Sequence, residues 1–166
     1  MTRHSPAPSC QPVQSLEILS YSDDLAPAFE RLNRTWIEAY FQVEPTDEAL
    51  FRNPRAALIE PGGEVFFAKA DGQIVGTCAA QSLGPAEWEL AKLAVAPEFQ
   101  GRGIARRLCE TVIDHARAKG GRRILIETNS RLKPALNLYE QLGFTPYTPS
   151  TPSPFNRADV FLEKPL

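Results

Sequence analysis

Between residues 87 and 121 the sequence changes its period once. "EWELAKLAV" alternates, with Glu89, Ala91, Leu93 and Val95 on one face and Leu90, Lys92 and Ala94 on the other, the two-residue period of a strand. Pro97 ends that run, and from Gly103 the period lengthens. Ile104, Leu108, Val112 and His115 or Ala116 form one apolar stripe, while Arg106, Arg107, Glu110, Asp114 and Arg117 face elsewhere, which is an amphipathic helix stopped at "KGG". A strand that feeds a helix through a turn with two glycines requires a layered fold of sheet and helices.

The flanking segments extend the pattern in both directions. Upstream, "VFFAKA" and "IVGTCAAQSL" are separated by Asp71-Gly72, a strong hairpin signal, so three adjacent antiparallel strands precede the helix. Residues 23–42 carry Leu25, Phe29, Leu32, Trp36 and Tyr40 at helical spacing and predict one or two helices, with a further short helix over "DEALFRNP". Downstream, "RRILIET" reads as a strand, "KPALNLYEQLGF" as a helix closed by Gly143, and "RADVFLEKPL" as a last strand after a proline-rich loop. The expected fold is a single α/β (α+β) domain over residues 15–166 with a mixed, mostly antiparallel sheet. Residues 1–14, with three prolines and little apolar material, read as a flexible leader.

Composition narrows the function classes. The 166 residues suit one core, and 43% hydrophobic with 23% charged residues is ordinary globular composition. A formal net charge of -2 gives little long-range attraction for nucleic acid or an anionic membrane, so neither is expected as a partner and any cationic site must be local. No apolar run approaches the roughly 20 residues that span a bilayer, and the N-terminus has no secretory apolar region, so a cytoplasmic protein is expected. Cys10, Cys78 and Cys109 lack metal-ligand spacing and His4 lies far from His115, so no metal site is expected. Monomer and homodimer both remain open.

The glycine turn "GRGIAR" poses the functional question. A helix N-terminus leaves about four backbone N–H groups unbonded and carries about half a positive charge, so phosphate is its natural partner. Glycine at 101 and 103 lets a pyrophosphate approach the backbone, and Arg102 can reach terminal phosphates; a plain flexible turn with solvated charges is the alternative. No P-loop is present, because no G-x-x-x-x-G-K sequence followed by Ser or Thr occurs. A dinucleotide fingerprint fails as well, since Arg106 occupies its third glycine position and "APEFQ" separates strand from turn.

The segment "LAVAPEFQGRGIARRLCETVIDHA" resembles the acetyl-coenzyme A binding core of the GCN5-related N-acetyltransferases (GNAT), whose motif Q/R-x-x-G-x-G/A is met by Gln100, Gly103 and Ala105. "ALNLYEQLGF" is similar to that family's closing motif, and the likeness covers about residues 64–147. The resemblance implies a fold in which "EWELAKLAV" splays from "RRILIET" to admit pantetheine. It implies that backbone amides of Gln100, Gly101, Arg102, Gly103, Ile104 and Ala105 hold the pyrophosphate and that the strand from Leu93 through Ala94 to Val95 holds pantetheine. Asn129 and Asn137 are further candidates for contact with the cofactor, whereas Arg106 and Arg107 are assigned to the solvated helix face.

An amine must lose its proton before it attacks a thioester, which for a pKa of about 10.4 costs about 4.6 kcal/mol at pH 7. The resemblance makes Glu89 the base, with Glu87 as substitute, against the simpler role of a solubilising charge at a strand end. It brings Tyr139 to the cofactor sulfur as proton donor, against a packing role shared with Leu136 and Leu142. The implied activity is direct transfer of acetyl from acetyl-CoA to an amine, on a small molecule or a polypeptide, in a ternary complex. Use of another acyl-CoA and a non-catalytic coenzyme A-binding module are the alternatives. Residues 33–51 are expected to shape the acceptor side, where Glu38, Glu44, Asp47 and Glu48 suit a cationic amine unless they face solvent.

Overall fold

The computed structural model describes residues 15–166, so the leader expected over 1–14 lies outside the described residues, as do His4 and Cys10. Strand β1 (Leu16–Leu19) opens the fold, followed by helices α1 (Ala26–Tyr40) and α2 (Pro45–Arg52) and a single π-type turn at Arg55–Ile59. The antiparallel strands β2 (Glu64–Ala70), β3 (Gln73–Ser82) and β4 (Glu87–Val95) come next, then α3 (Ile104–Ala118), β5 (Arg123–Thr128) and α4 (Lys133–Gln141). The short β6 (Thr145–Pro146) and β7 (Val160–Pro165) complete one seven-stranded open sheet in the order β1-β2-β3-β4-β5-β7-β6.

The sheet is covered on both faces, and its middle strands are apolar for that reason. In β2, Val65 and Phe67 join Phe29 and Ile37 of α1 in one core, while Phe66 and Ala68 join Leu108 and Val112 of α3 in the other. Strands buried on both sides need apolar side chains at successive positions, as "VFFA" supplies. His115 takes part in the second core, edge-on to Phe66 and Trp88 with ring centroids 5.4 and 5.6 Å away.

Two irregularities in β4 prepare the site. It pairs with β5 in parallel only from Glu87 to Glu89, against Arg123 to Leu125, and beyond that point the strands diverge as the family resemblance implied. The second was not expected. Thr77 pairs with Ala94 and Ala79 with Ala91, so Cys78 alone faces both Lys92 and Leu93, and Lys92 takes a positive φ of 55°. This is a β-bulge, which inserts one residue and locally breaks the alternation. Leu90 stays in the α3-side core, and past the bulge Leu93 and Val95, expected on Glu89's face, pack against that core. Lys92, expected on Leu90's face, reaches the opposite one and bonds Asp47 of α2.

Candidate active site

The divergence of β4 from β5 opens a cleft of about 550 Å³. One wall is the free edge of β4 from Leu90 to Val95; the other is β5 and α4, with Glu127, Thr128 and Tyr139; the turn before α3 closes the end. Backbone groups on an unpaired strand edge are the natural partners of an extended amide-bearing ligand. At the end, Gly101 and Gly103 hold φ of 75° and 81°, a conformation that favours glycine. A Cβ on Gly103 would meet nothing within 4 Å, so this glycine serves the conformation and the open space beside it, not internal packing. Helix α3 then starts without a side-chain cap, and its first amide dipoles are available to an anion. Gln100 ties the turn to β4 by donating from Nε2 to the Val95 carbonyl at 3.2 Å.

Tyr139 faces this cleft from α4. Its residue is 5% exposed, and its hydroxyl makes no hydrogen bond among the described residues. Among the described residues the one sealed, unpartnered polar side-chain atom is Trp88 Nε1, so the Tyr139 oxygen keeps surface open to the cleft. Burial, with smaller contributions from Cys109 and Cys78, raises its pKa well above the ordinary phenol range. The proton therefore stays on Tyr139 until a strong base forms beside it.

Past Tyr139 the cleft runs into a constriction of about 80 Å³; Ala91, Lys92, Glu127 and Leu132 line both spaces. Here the largely buried Glu89 carboxylate accepts no hydrogen bond from the described residues. Burial raises its pKa to about 7, the nearby Glu127 charge adds to the rise, and Lys92 opposes it. A carboxylate poised there accepts a proton at neutral pH far more readily than an ordinary glutamate. Beyond the constriction Glu87, Glu89 and Glu127 border an outer cavity of about 380 Å³, roofed by the proline-rich loop 147–155.

The constriction is braced by a buried ion network. Asp47, fully buried, accepts from Lys92 Nζ at 2.5 Å, from both terminal nitrogens of Arg157 at 2.7 Å, and from the Glu44 backbone N–H at 2.9 Å. Four donors fill the lone-pair sites of one carboxylate. Burial pushes the Asp47 pKa up, but the bonds from Arg157 and Lys92 outweigh it and hold the carboxyl at about 2. Glu44 takes a further bond from Arg157 at 3.1 Å, so two carboxylates balance two cations. The Phe155 ring lies 4.3 Å from Lys92 Nζ and 4.7 Å from the Arg157 guanidinium carbon. Burial lowers the pKa of Lys92, and Asp47 offsets that.

The model of the acetyltransferase (GNAT) family matches residues 25–144, well over half of the chain. The chain belongs to the GNAT acetyltransferases. It is 34% identical over 110 residues to the N-acetyltransferase YjgM of Escherichia coli strain K12, a match spanning 64% of each chain. The matched stretch is 36% to 64% of the length of the first curated relatives. A GNAT acetyltransferase from Staphylococcus aureus superposes with a TM-score of 0.83 at 18% identity, over 91% of this chain and 99% of the other. PaiA N-acetyltransferase from Thermoplasma acidophilum, solved with coenzyme A, superposes at 0.71 and 18% identity over 92% and 100%. Acyl-CoA-dependent acetyl transfer is the activity general to that family.

The cleft fits that cofactor in kind: an open strand edge for pantetheine amides, a left-handed glycine turn and uncapped helix start for phosphate, and a phenol between them. Of the residues expected to bind it, Leu93, Ala94, Val95, Gln100, Gly101, Gly103, Ile104 and Ala105 line the GNAT cleft together. Arg102 does not; its guanidinium carbon sits 4.9 Å from the Phe99 ring centroid. Asn129 lies at the constriction, donating to the Arg157 carbonyl at 2.6 Å, and Asn137 is exposed on α4. Arg106, assigned to a solvated helix face, is half-exposed but borders the cleft, where it bonds Gln141 of α4.

The acidic residues expected around the acceptor are mostly engaged elsewhere. Asp47 and Glu44 hold Arg157, Glu48 holds Arg34, and Glu38 is exposed. Sequence reading missed Glu127 and Lys92. Glu127 closes an apolar strand in the way Glu89 interrupts one, which is a usable signal. Lys92 carries none, because the bulge that turns it is not written in the alternation.

Proposed function

We propose that this GNAT protein transfers acetyl from acetyl-CoA to a primary amine by direct attack, with Glu89 as proton acceptor and Tyr139 as proton donor. One observation carries the reading. A phenol with a raised pKa and a carboxyl with a pKa of about 7 flank a single continuous passage, one facing the cofactor cleft and the other the constriction beyond it. When bound, acetyl-CoA supplies the thioester. The turn from Gln100 to Ala105 would hold its pyrophosphate, and the edge from Leu93 to Val95 its pantetheine.

Glu89, directly or through water, takes the proton that leaves the attacking nitrogen. At pH 7 about half of such a carboxyl is ionised, so an acceptor is present at neutral pH and the transfer is less uphill than to an ordinary glutamate. Backbone N–H groups on the open edge of β4 supply dipoles for charge developing on the acetyl oxygen. Tyr139 hydrogen-bonds the departing sulfur and gives it its proton as the C–S bond breaks, because the same burial that raises the phenol pKa disfavours a free thiolate beside it. The C–N bond formed, the C–S bond broken, one proton accepted and one given balance the reaction.

The test is release of coenzyme A thiol on mixing the protein with acetyl-CoA and primary amines, repeated with Tyr139→Phe and Glu89→Gln. Release dependent on the amine and slowed in both variants is expected. Acetyl-CoA binding with no release for any amine, or release unaffected by both substitutions, overturns the assignment of roles.

A further inference from the structure

Resting on that reading, the structure also bears on which amine is used. The acceptor end of the passage has two sides. On one, α2 is bolted to the loop after β6: Asn156 donates its backbone N–H to Glu44 at 2.9 Å, and Arg157 bonds both Glu44 and Asp47. Arg131 adds a bridge from the loop after β5 to the Tyr40 carbonyl at 3.0 Å. An extended polypeptide needs a groove open over several residues, and these ties cross the ground it would occupy. The other side is the cavity of about 380 Å³ beneath residues 147–155, at the small end of the roughly 300–1,000 Å³ that small-molecule sites span.

The charges of this cavity are unequally matched. Its cation, Arg123, is taken up by Glu163 at 2.5 Å and Glu87 at 3.4 Å. The neighbouring Lys92 and Arg157 are taken up by Asp47. Glu127 accepts from the Ser153 hydroxyl at 2.6 Å, a neutral donor, and Glu89, largely buried and without a hydrogen bond from the described residues, opens onto the same space. Among the described residues, an ammonium entering there meets two carboxylates that form no ion pair, Lys92 near Glu89 being bonded to Asp47, whereas a substrate carboxylate finds no unengaged cation. The remaining walls, including Leu50, Leu125, Tyr147, Pro152, Pro154 and Phe155, suit an apolar body.

We propose that the acceptor reaches Glu89 through the cavity under loop 147–155, and that it is a compact primary amine with an apolar or aromatic body and no carboxylate beside the nitrogen. Glu127 anchors its ammonium and Glu89 takes its proton. Free amino acids and polypeptide N-termini are poor acceptors, the first by charge and the second by size.

The experiment compares phenethylamine, L-phenylalanine and an alanine-leading hexapeptide as acceptors for the full chain, following thiol release, with acetyl-CoA affinity measured separately by calorimetry. Phenethylamine should exceed phenylalanine in kcat/KM by about 100-fold, as an uncompensated like charge at the site demands, and the hexapeptide should be no better than phenylalanine. Leu83, 44% exposed on the cavity rim and outside the cofactor cleft, offers a second handle. Leu83→Arg should raise the KM for phenethylamine about tenfold without changing acetyl-CoA affinity. Preference for phenylalanine or the peptide, an unchanged KM in Leu83→Arg, or acetyl-CoA binding with no transfer to any of the three overturns the proposal and leaves the acetyl-CoA site standing. Failure of the parent protein to bind acetyl-CoA overturns the underlying reading with it.

Discussion

The two ends of the passage are built from different materials. The cofactor end is backbone: a strand edge that loses its partner after Glu89, two glycines with positive φ, and the start of α3. The acceptor end is side chain: Asp47 from α2, Lys92 from the bulge of β4 and Arg157 from the loop before β7, joined across as many as 110 residues of sequence. Backbone recognition tolerates most side chains and punishes a change of conformation. A buried ion network tolerates almost no change of charge, because removing one member strands the others away from water.

The largest effect should therefore come at the acceptor end and appear in stability. Asp47→Asn leaves Lys92 and Arg157 with half their compensating charge in a site 6% and 11% exposed, and should cost about 3–5 kcal/mol at pH 7. Urea unfolding measures it; a loss under about 1 kcal/mol would mean that the network is hydrated and braces little. In the parent the folded pKa of Asp47 is depressed, so its contribution is present above the unfolded value near 3.8 and disappears as pH falls toward about 2.

Tyr139→Phe should reverse the pattern, altering turnover and sparing the fold. Its hydroxyl bonds nothing among the described residues, so stability should stay within about 0.5 kcal/mol, while kcat falls about 100-fold and acetyl-CoA affinity changes little. Equal losses of kcat and of affinity would make Tyr139 part of the binding wall instead.

Glu89→Gln should slow transfer by about tenfold at pH 7, and less at higher pH as more amine arrives neutral. In the parent, kcat/KM should rise with pH to a plateau above about 7, and the variant should lack that inflection. The sign for stability is opposite. The folded protein holds the Glu89 proton more tightly than the unfolded chain, so stability is lost as pH rises from about 4.5 to about 7. At pH 8 the variant should be more stable than the parent by roughly 1–3 kcal/mol in thermal or urea unfolding, the direction expected where a strained site is kept for function. A less stable variant at pH 8 would show that Glu89 is a compensated structural charge.

The contrast also explains what could be read from the sequence. Strand period, helix period and the spacing of Gln100, Gly103 and Ala105 are local patterns, and the structure brings eight of the expected cofactor residues to one cleft. Glu89 was locatable because it lies before the bulge, where alternation still holds. Lys92 was not, since a bulge depends on how two strands pair and not on either one alone. Asp47 read as one of four acids suited to a cationic amine unless they face solvent, and only the arrival of Arg157 from the far end of the chain makes it the buried centre of a network. Long-range charge partners leave no period behind.

The central claim, that the backbone at the start of α3 holds the carrier, is tested most directly by titrating acetyl-CoA into Gly103→Leu in a calorimeter. The added side chain meets no protein atom within 4 Å of its Cβ, so the fold should lose only the roughly 1–2 kcal/mol of a left-handed non-glycine residue and still unfold cooperatively. Acetyl-CoA affinity should fall about 30-fold or more, because the side chain occupies the space left for phosphate. A folded Gly103→Leu protein that binds acetyl-CoA as tightly as the parent would contradict the account.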